Sequence, residues 1–355
     1  MKDKETKEIA RIELNIDSWP IFTTYKRGGK QRSREIVRYE KIGDKVVQQR
    51  VIIRSVDKYG TLVAPDFKMV SFVGQKLLEI GSKDGGMNFT LLGLIREYLG
   101  IENPSSKHYD AVVNSLMRCR TVPIEFDNCF LAKDGSIITI KEPITIFSEL
   151  KIFERRKDIK EKQEYFGFCR LKLHPLIWQS IKNRYIRPIR FDVLRTLKSD
   201  VSILLYKHLD RAMYKKTEWS KDIIELAEEI GITERRPRRI RLLLLKACDE
   251  LKGKELTHGR ITYIEVERSK DKSGWKLAVR KAKQRSESKE EMVDEREQYL
   301  DIYKNLSEQE KAEVDKYVEE RIKDFSNLPG QELREGSEFM RECLIIEYLQ
   351  NKLSR

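Results

Sequence analysis

Five arginines fall within seven residues in the run Thr233-Glu234-Arg235-Arg236-Pro237-Arg238-Arg239-Ile240-Arg241. A guanidinium is planar, permanently charged and carries a fork of donors that fits a phosphate or the O6 and N7 edge of a guanine. Behind the run, Ile240, Leu243, Leu244, Ala247 and Leu251 recur at helical spacing. Arg235 to Lys252 is therefore expected as a helix with one apolar stripe, its basic side chains filling the first turns and the opposite side. Arg235, Arg236, Arg238, Arg239, Arg241 and Lys246 are the candidate anion contacts. The other reading of these residues is a solvated face paired with Glu225, Glu228 and Glu229 of the segment before it.

The residue types needed for catalysis do not assemble into a pattern. His108, His174, His208 and His258 form no H-x-H or H-E-x-x-H pair, which argues against a zinc hydrolase or a two-histidine nicking enzyme. No phosphate-cradling G-x-x-x-x-G-K-[ST] loop and no G-x-S-x-G elbow is present. Tyr185, Tyr206 and Tyr214 are the conceivable strand-transfer nucleophiles, and each sits in an apolar pattern that reads as packing. The expectation is a protein without enzymatic activity, cofactor or metal.

The formal charge is +13, and it is unevenly spread. From Arg285 onward there are 12 basic and 19 acidic residues, leaving 59 against 39, a net +20, for the body. A basic body with an acidic tail points to a polyanionic partner. Cys119, Cys129, Cys169, Cys248 and Cys343 are odd in number and widely spaced, as expected for reduced thiols in a cytoplasm. No apolar run reaches the length of a membrane span, so no membrane partner is expected.

The elements that must position the arginines follow from the patterning. Ser220 to Ile232 reads as a short amphipathic helix closed by Gly231, so the arginine helix is the second of a helix-turn-helix. Gly259 to Glu267 and Trp275 to Val279 follow as a hairpin, with Arg268, Lys270 and Lys272 at its tip. Upstream, Asp66 to Ile80, Phe89 to Ile101 and the segment carrying Tyr109, Val112, Val113 and Leu116 read as three helices. Thr121 to Phe126 and Ser136 to Ile140 around Lys133-Asp134-Gly135 read as a first hairpin. Trp19, Trp178, Trp219 and Trp275 are expected as core anchors.

Shifting the register by 131 residues lays Leu99-Gly100-Ile101 on Ile230-Gly231-Ile232 and Tyr109, Val112, Val113 and Leu116 on Ile240, Leu243, Leu244 and Ala247. The chain is thus read as two copies of one module. The expected class is α+β, two tandem winged-helix domains followed by a helical C-terminal tail. The expected boundaries are a flexible basic arm over 1–48, a first module over 49–154, a second over 165–283 and an acidic helical extension over 284–355. In the first module Ser105, Ser106, Lys107, Asn114 and Arg118, with Lys133 at the hairpin tip, are the corresponding DNA candidates.

From about Val51 to Val279 the sequence resembles the plasmid replication initiators of the Rep, or replication initiator protein A, type. The matching segments are Tyr59-Gly60, Tyr109 through Arg118 with Thr121, Leu171-Lys172-Leu173, Asn183-Arg184-Tyr185 through Leu194 and Leu197, and Leu204 through Asp210. The resemblance implies double-stranded DNA at repeated origin sites as the partner and local melting of adjacent A·T-rich sequence. It also implies recruitment of host replication proteins such as the replicative helicase and initiator, a homodimer, and repression of the protein's own promoter. A winged-helix transcriptional regulator is the alternative of the same chemistry, and a nickase or primase the alternative of a different class.

Overall fold

The computed structural model describes residues 8–24, 33–42, 45–152, 168–269, 274–282 and 306–326, with Tyr303, Ile345 and Tyr348. It divides into two units, Met1–Lys283 and Gln284–Arg355. Both helices and strands build the first unit, so the α+β class expected from the sequence is observed.

The 131-residue offset reappears in the elements themselves. In the first copy α2 (Ala64–Glu79) is followed by β4 (Gly86–Thr90), α3 (Leu91–Leu99) and α4 (Ser106–Thr121). In the second, α7 (Asp200–Ala212) is followed by β9 (Glu218–Asp222), α8 (Ile223–Ile230) and α9 (Pro237–Leu251). Gly100 and Gly231 close the equivalent helices α3 and α8 in the left-handed conformation, at φ 68° and 81°. A Cβ on Gly231 would come within 2.4 Å of the Phe22 carbonyl oxygen, so this turn has no room for any other residue.

Each copy closes with a sheet. β11 (Gly259–Arg268) and β12 (Trp275–Ala282) form the second hairpin, and the sheet runs β10 (Glu255–Leu256), β11, β12, β9. The first copy's sheet runs β4, β7 (Phe168–Leu173), β6 (Phe147–Lys151). This corrects two expectations. Phe166 to Leu173 was expected to open the second module, but its described strand completes the first module's sheet. Ser136 to Ile140 was expected as a strand, but it contributes a single bridge, Leu131 to Ile137. Its backbone bonds, from Ile138 N–H to the Phe130 carbonyl and from Ala132 N–H to the Ser136 carbonyl, both at 2.8 Å, run to residues 130–132 just before it.

The expected arm over residues 1–48 is also corrected where it is described. β1 (Ile9–Glu13) pairs antiparallel with β8 (Ile186–Arg190), and α1 (Leu14–Ser18) follows it directly. β2 (Arg34–Ile42) and β3 (Lys45–Ile53) form a hairpin that adds to β5 (Ile124–Asp127). Ile12, Ile16, Trp19, Ile21 and Phe22 are all buried. The segment passes from strand to helix to extended chain within a few residues, so its apolar positions follow no single period. The basic stretch Gly28 to Arg32 lies outside the described residues.

One continuous apolar core runs through both copies, from Val73 and Leu116 to Leu205, Ile240 and Leu277. Trp19 and Trp178 are buried in it, while Trp219 and Trp275 pack against it partly exposed. α5 (Pro175–Lys182) and α6 (Phe191–Thr196) flank β8 between the copies. The unit Gln284–Arg355 holds α10 (Glu308–Ser326), whose Val314 and Val318 pack with Ile345. Ser307 and Glu310 cap that helix reciprocally: the Ser307 backbone donates to Glu310 at 3.1 Å and the Glu310 backbone to Ser307 Oγ at 3.4 Å. Of the helical extension expected over 284–355, only Tyr303, residues 306–326, Ile345 and Tyr348 are among the described residues.

A buried ionic cluster joins the N-terminal segment to the second copy. Arg187 on β8 donates to Asp17 on α1 at 2.5 and 3.0 Å and to Asp210 on α7 at 2.6 Å. Asp17 and Asp210 are 0% and 1% exposed. Burial alone would raise the Asp17 carboxyl, but the charges of Arg187 and Lys207 and the Arg187 hydrogen bonds outweigh it and hold the group at about 2.

Replacing Arg187 with alanine leaves two carboxylates buried without their cation and should cost about 3–5 kcal/mol of unfolding free energy. A urea titration that loses under about 1 kcal/mol would show the cluster to be dispensable. Because Asp17's folded pKa is depressed, its contribution is complete above the ordinary carboxylate range. It should disappear as pH falls toward about 2, and Asp17→Asn should flatten that acid limb.

Candidate nucleic-acid interface

The basic helix begins abruptly. After the Gly231 turn, Pro237 occupies the first turn of α9, where its missing N–H costs nothing and its fixed φ favours helix. The N-cap is Arg236, and no side chain caps the helix. The apolar stripe Ile240, Leu244, Ala247, Cys248 and Leu251 is buried, which turns Arg235, Arg236, Arg238, Arg239 and Lys246 outward. Four guanidiniums therefore crowd the end of a helix whose dipole is already positive. That placement works against folding and favours an external anion.

The carboxylate that sequence reasoning missed is Glu234. Its Oε1 accepts from the backbone N–H of Arg235 at 3.0 Å, from that of Arg236 at 3.1 Å and from Arg236 Nε at 3.2 Å, while Oε2 lies 3.7 Å from Arg239. The Arg236 side-chain hydrogen bond, with the backbone donors and the charge, brings its carboxyl down to about 2. The available signal was an acid two residues before the helix N-cap. The partners proposed for a solvated face are occupied differently: Glu225 and Glu229 both face Lys221, and Glu229 also lies 3.9 Å from His208.

Arg241 and Arg268 are not simply outward charges. Arg241 is half-buried with its guanidinium 3.8 Å from the centre of the Trp275 ring, and the exposed Arg268 approaches the same ring at 5.0 Å. Arg241 Nε is buried and has no hydrogen-bond partner among the described residues. Trp275 begins β12, so this stack ties helix α9 to the β11–β12 hairpin. Lys270 and Lys272, the other hairpin candidates, lie outside the described residues.

In the first copy the equivalent helix start is built differently. Ser105, at the position matching Arg236, is the N-cap of α4, and its backbone N–H donates to His108 Nδ1 at 3.1 Å. Ser106, Lys107 and Asn114 are exposed on that helix. Arg118 does not join them. Its Nε and an Nη donate to the two oxygens of fully buried Asp66, both at 2.8 Å, so the guanidinium holds α4 to α2. Burial raises the Asp66 carboxyl against the opposing effect of Arg118. Lys133 is exposed on a turn that is not the hairpin of this copy's sheet; it borders a shallow depression shared with Lys182 and Arg184.

Among the described residues, no group of three or more histidine, cysteine or acidic side chains could hold a metal, and no helix is long and apolar enough to cross a membrane. Tyr206, considered as a nucleophile, is fully buried and donates its hydroxyl to the Glu255 carbonyl at 2.9 Å.

No family model matches the chain, and no curated protein matches its sequence. Among solved structures it is similar to the crystal structure of domains 2 and 3 of RctB, with a TM-score of 0.51 and 9% identity over 75% of this chain and 97% of that one. At that identity the likeness is one of fold.

The Arg118 placement has a direct check. Arg118→Ala should cost about 3–5 kcal/mol of stability by leaving the Asp66 carboxylate buried alone. Its DNA affinity, measured below the unfolding transition and corrected for folded fraction, should equal that of the parent. Unchanged stability with weakened binding would return Arg118 to the interface.

Proposed function

We propose that the protein is a sequence-specific double-stranded DNA-binding replication initiator that acts without catalysis, with two winged-helix modules and α9 as the principal reader. The observation that carries this reading is the arrangement at α9: four exposed arginines at the positive end of a helix, with one carboxylate among them, on a body of net charge +20. The element order in each copy supports the winged-helix assignment, since a helix, a strand, a helix pair and a hairpin whose last strand pairs with the first is the order of that fold.

In this reading α9 enters the major groove by its first turns, where Arg235, Arg236, Arg238 and Arg239 reach guanine edges or flanking phosphates. Lys246, Arg268, Lys270 and Lys272 contact the backbone, and Arg241 positions the hairpin through Trp275. Ser105, Ser106, Lys107 and Asn114 give the first copy a weaker, mostly neutral contact, and Lys133 with Lys182 and Arg184 forms a separate basic patch.

The term initiator rests on two further supports. One is the sequence resemblance to plasmid replication initiators. The other is the fold similarity to domains 2 and 3 of RctB. Binding at origin repeats, recruitment of the host helicase and initiator, a homodimer and autoregulation belong to the proposal on that basis.

Arg238→Ala and Arg239→Ala should each weaken specific binding by about 1–3 kcal/mol in a gel-shift titration at fixed salt, without changing the circular dichroism. If the body neutralises roughly 8 phosphates, log K should fall against log salt with a slope near about −7. Unchanged affinity in both variants would remove α9 as the reader. Protection of one promoter operator and no origin repeats would favour a transcriptional regulator, and site-specific cleavage or primer synthesis with Mg²⁺ would overturn the reading.

A further inference from the structure

Leu242 is a large apolar side chain, 50% exposed, placed among the arginines of α9. At about 100° per residue it lies on the crest of the helix, opposite the buried stripe of Ile240, Leu244 and Leu251. Arg238 precedes it by one turn, Arg239 by three residues, and Lys246 follows by one turn, all three exposed. Its neighbours Leu243 and Leu245 turn back and pack against the core, so Leu242 alone of this leucine run stands on the charged side.

Folding gains little from a leucine at this crest, where a lysine or glutamate would support the helix equally well. A protein partner with an apolar groove fits poorly, because the side chain is rimmed by like positive charges that attract a polyanion. On a helix laid into the major groove, flanking cations meet phosphates and guanines while the crest meets the floor of base edges. Four kinds of edge are presented there, and the 5-methyl of thymine is the apolar group among them.

We infer that Leu242 is a specificity residue that packs on the 5-methyl group of thymine in the recognised DNA site. This rests on the reading of α9 as the major-groove helix. It gives the helix two kinds of discrimination: the arginines select guanine by hydrogen bonding, and the leucine selects thymine by burying a methyl. It also assigns thymine a place between the position reached by Arg238 and the phosphate contacted by Lys246.

The test uses a duplex enriched from a random-sequence pool by the full-length protein, then amplified with either dTTP or dUTP, so that the second version lacks every thymine methyl. For the parent protein, uracil substitution should weaken binding about fourfold for a contacted methyl. Leu242→Ala should weaken binding to the thymine duplex comparably and show equal affinity for the two duplexes. Arg238→Ala, which keeps the leucine, should bind both more weakly and keep the parent's thymine preference.

Equal thymine-to-uracil ratios in the parent and Leu242→Ala would overturn the inference, as would an enriched site without thymine. If Arg238→Ala and Arg239→Ala bind as well as the parent, the reading of α9 fails and the inference falls with it. Arginine-dependent binding with an unaltered methyl preference in Leu242→Ala removes the inference alone.

Discussion

Arg187 bonded to both Asp17 and Asp210 is the interaction on which the arrangement of the body depends. Removing a cation from water costs several kcal/mol, and one buried carboxylate rarely repays it; two carboxylates and further bonds to the Pro188 and Lys207 carbonyls satisfy all five donors of the fork. Each partner comes from a different part of the chain, α1, β8 and α7. The same carboxylates reach further. Asp210 also accepts from Thr257 at the entrance to the second hairpin, at 2.6 Å from its backbone N–H, and Lys207 donates to the Trp19 carbonyl at 3.3 Å. Burial of Lys207 lowers its ammonium to about 7 despite the opposing charge of Asp17, so the cluster is held together more by Arg187 than by the lysine. A helix bundle alone would not need the N-terminal residues. This one is locked by them.

On that frame, the same order of elements occurs twice with different charge at the same point. Position 105 is a serine and position 236 an arginine, each serving as the N-cap of its copy's last helix. The first start is neutralised locally by its own His108 and backbone. The second gathers positive charge that its dipole does not favour, relieved by Glu234 alone among the described acids paired with it. The geometry has been kept and the charge has not. A feature that is unfavourable in isolation and repeated across four side chains is best accounted for by an anion outside the protein.

Much of this was legible in the sequence because it is local. The 3.6-residue period marked α2, α4 and α9 to within a few residues, and Gly100 and Gly231 marked the ends of α3 and α8 through a conformation that other residues resist. The exposed positions of Arg238, Arg239 and Lys246 follow from the same period. What the sequence did not display was partnership across distance. Phe89 and Thr90 looked like the start of a helix because their strand character depends on β7, more than seventy residues later. Arg118 looked like a surface cation because Asp66, its partner, lies 52 positions away in the chain. The apolar run in 136–140 promised a strand, but it meets residues 130–132 through a single bridge, too short a pairing to make one.

The stack of Arg241 and Arg268 on Trp275 shows how the module can be strongly charged and still ordered. Two guanidiniums near one ring would repel in open solvent, but each is attracted to the electron-rich face of the indole, a contact of about 0.5–2 kcal/mol that strengthens as water is excluded. The arrangement makes the helix and hairpin share a side chain, so the base of the β11–β12 hairpin is set before any ligand arrives. An interface whose parts are already placed loses less side-chain freedom on binding, and that saving appears as affinity. Arg241, half-buried with an unbonded Nε, is worth more to the module as this hinge than as one more contact on a face already rich in arginine.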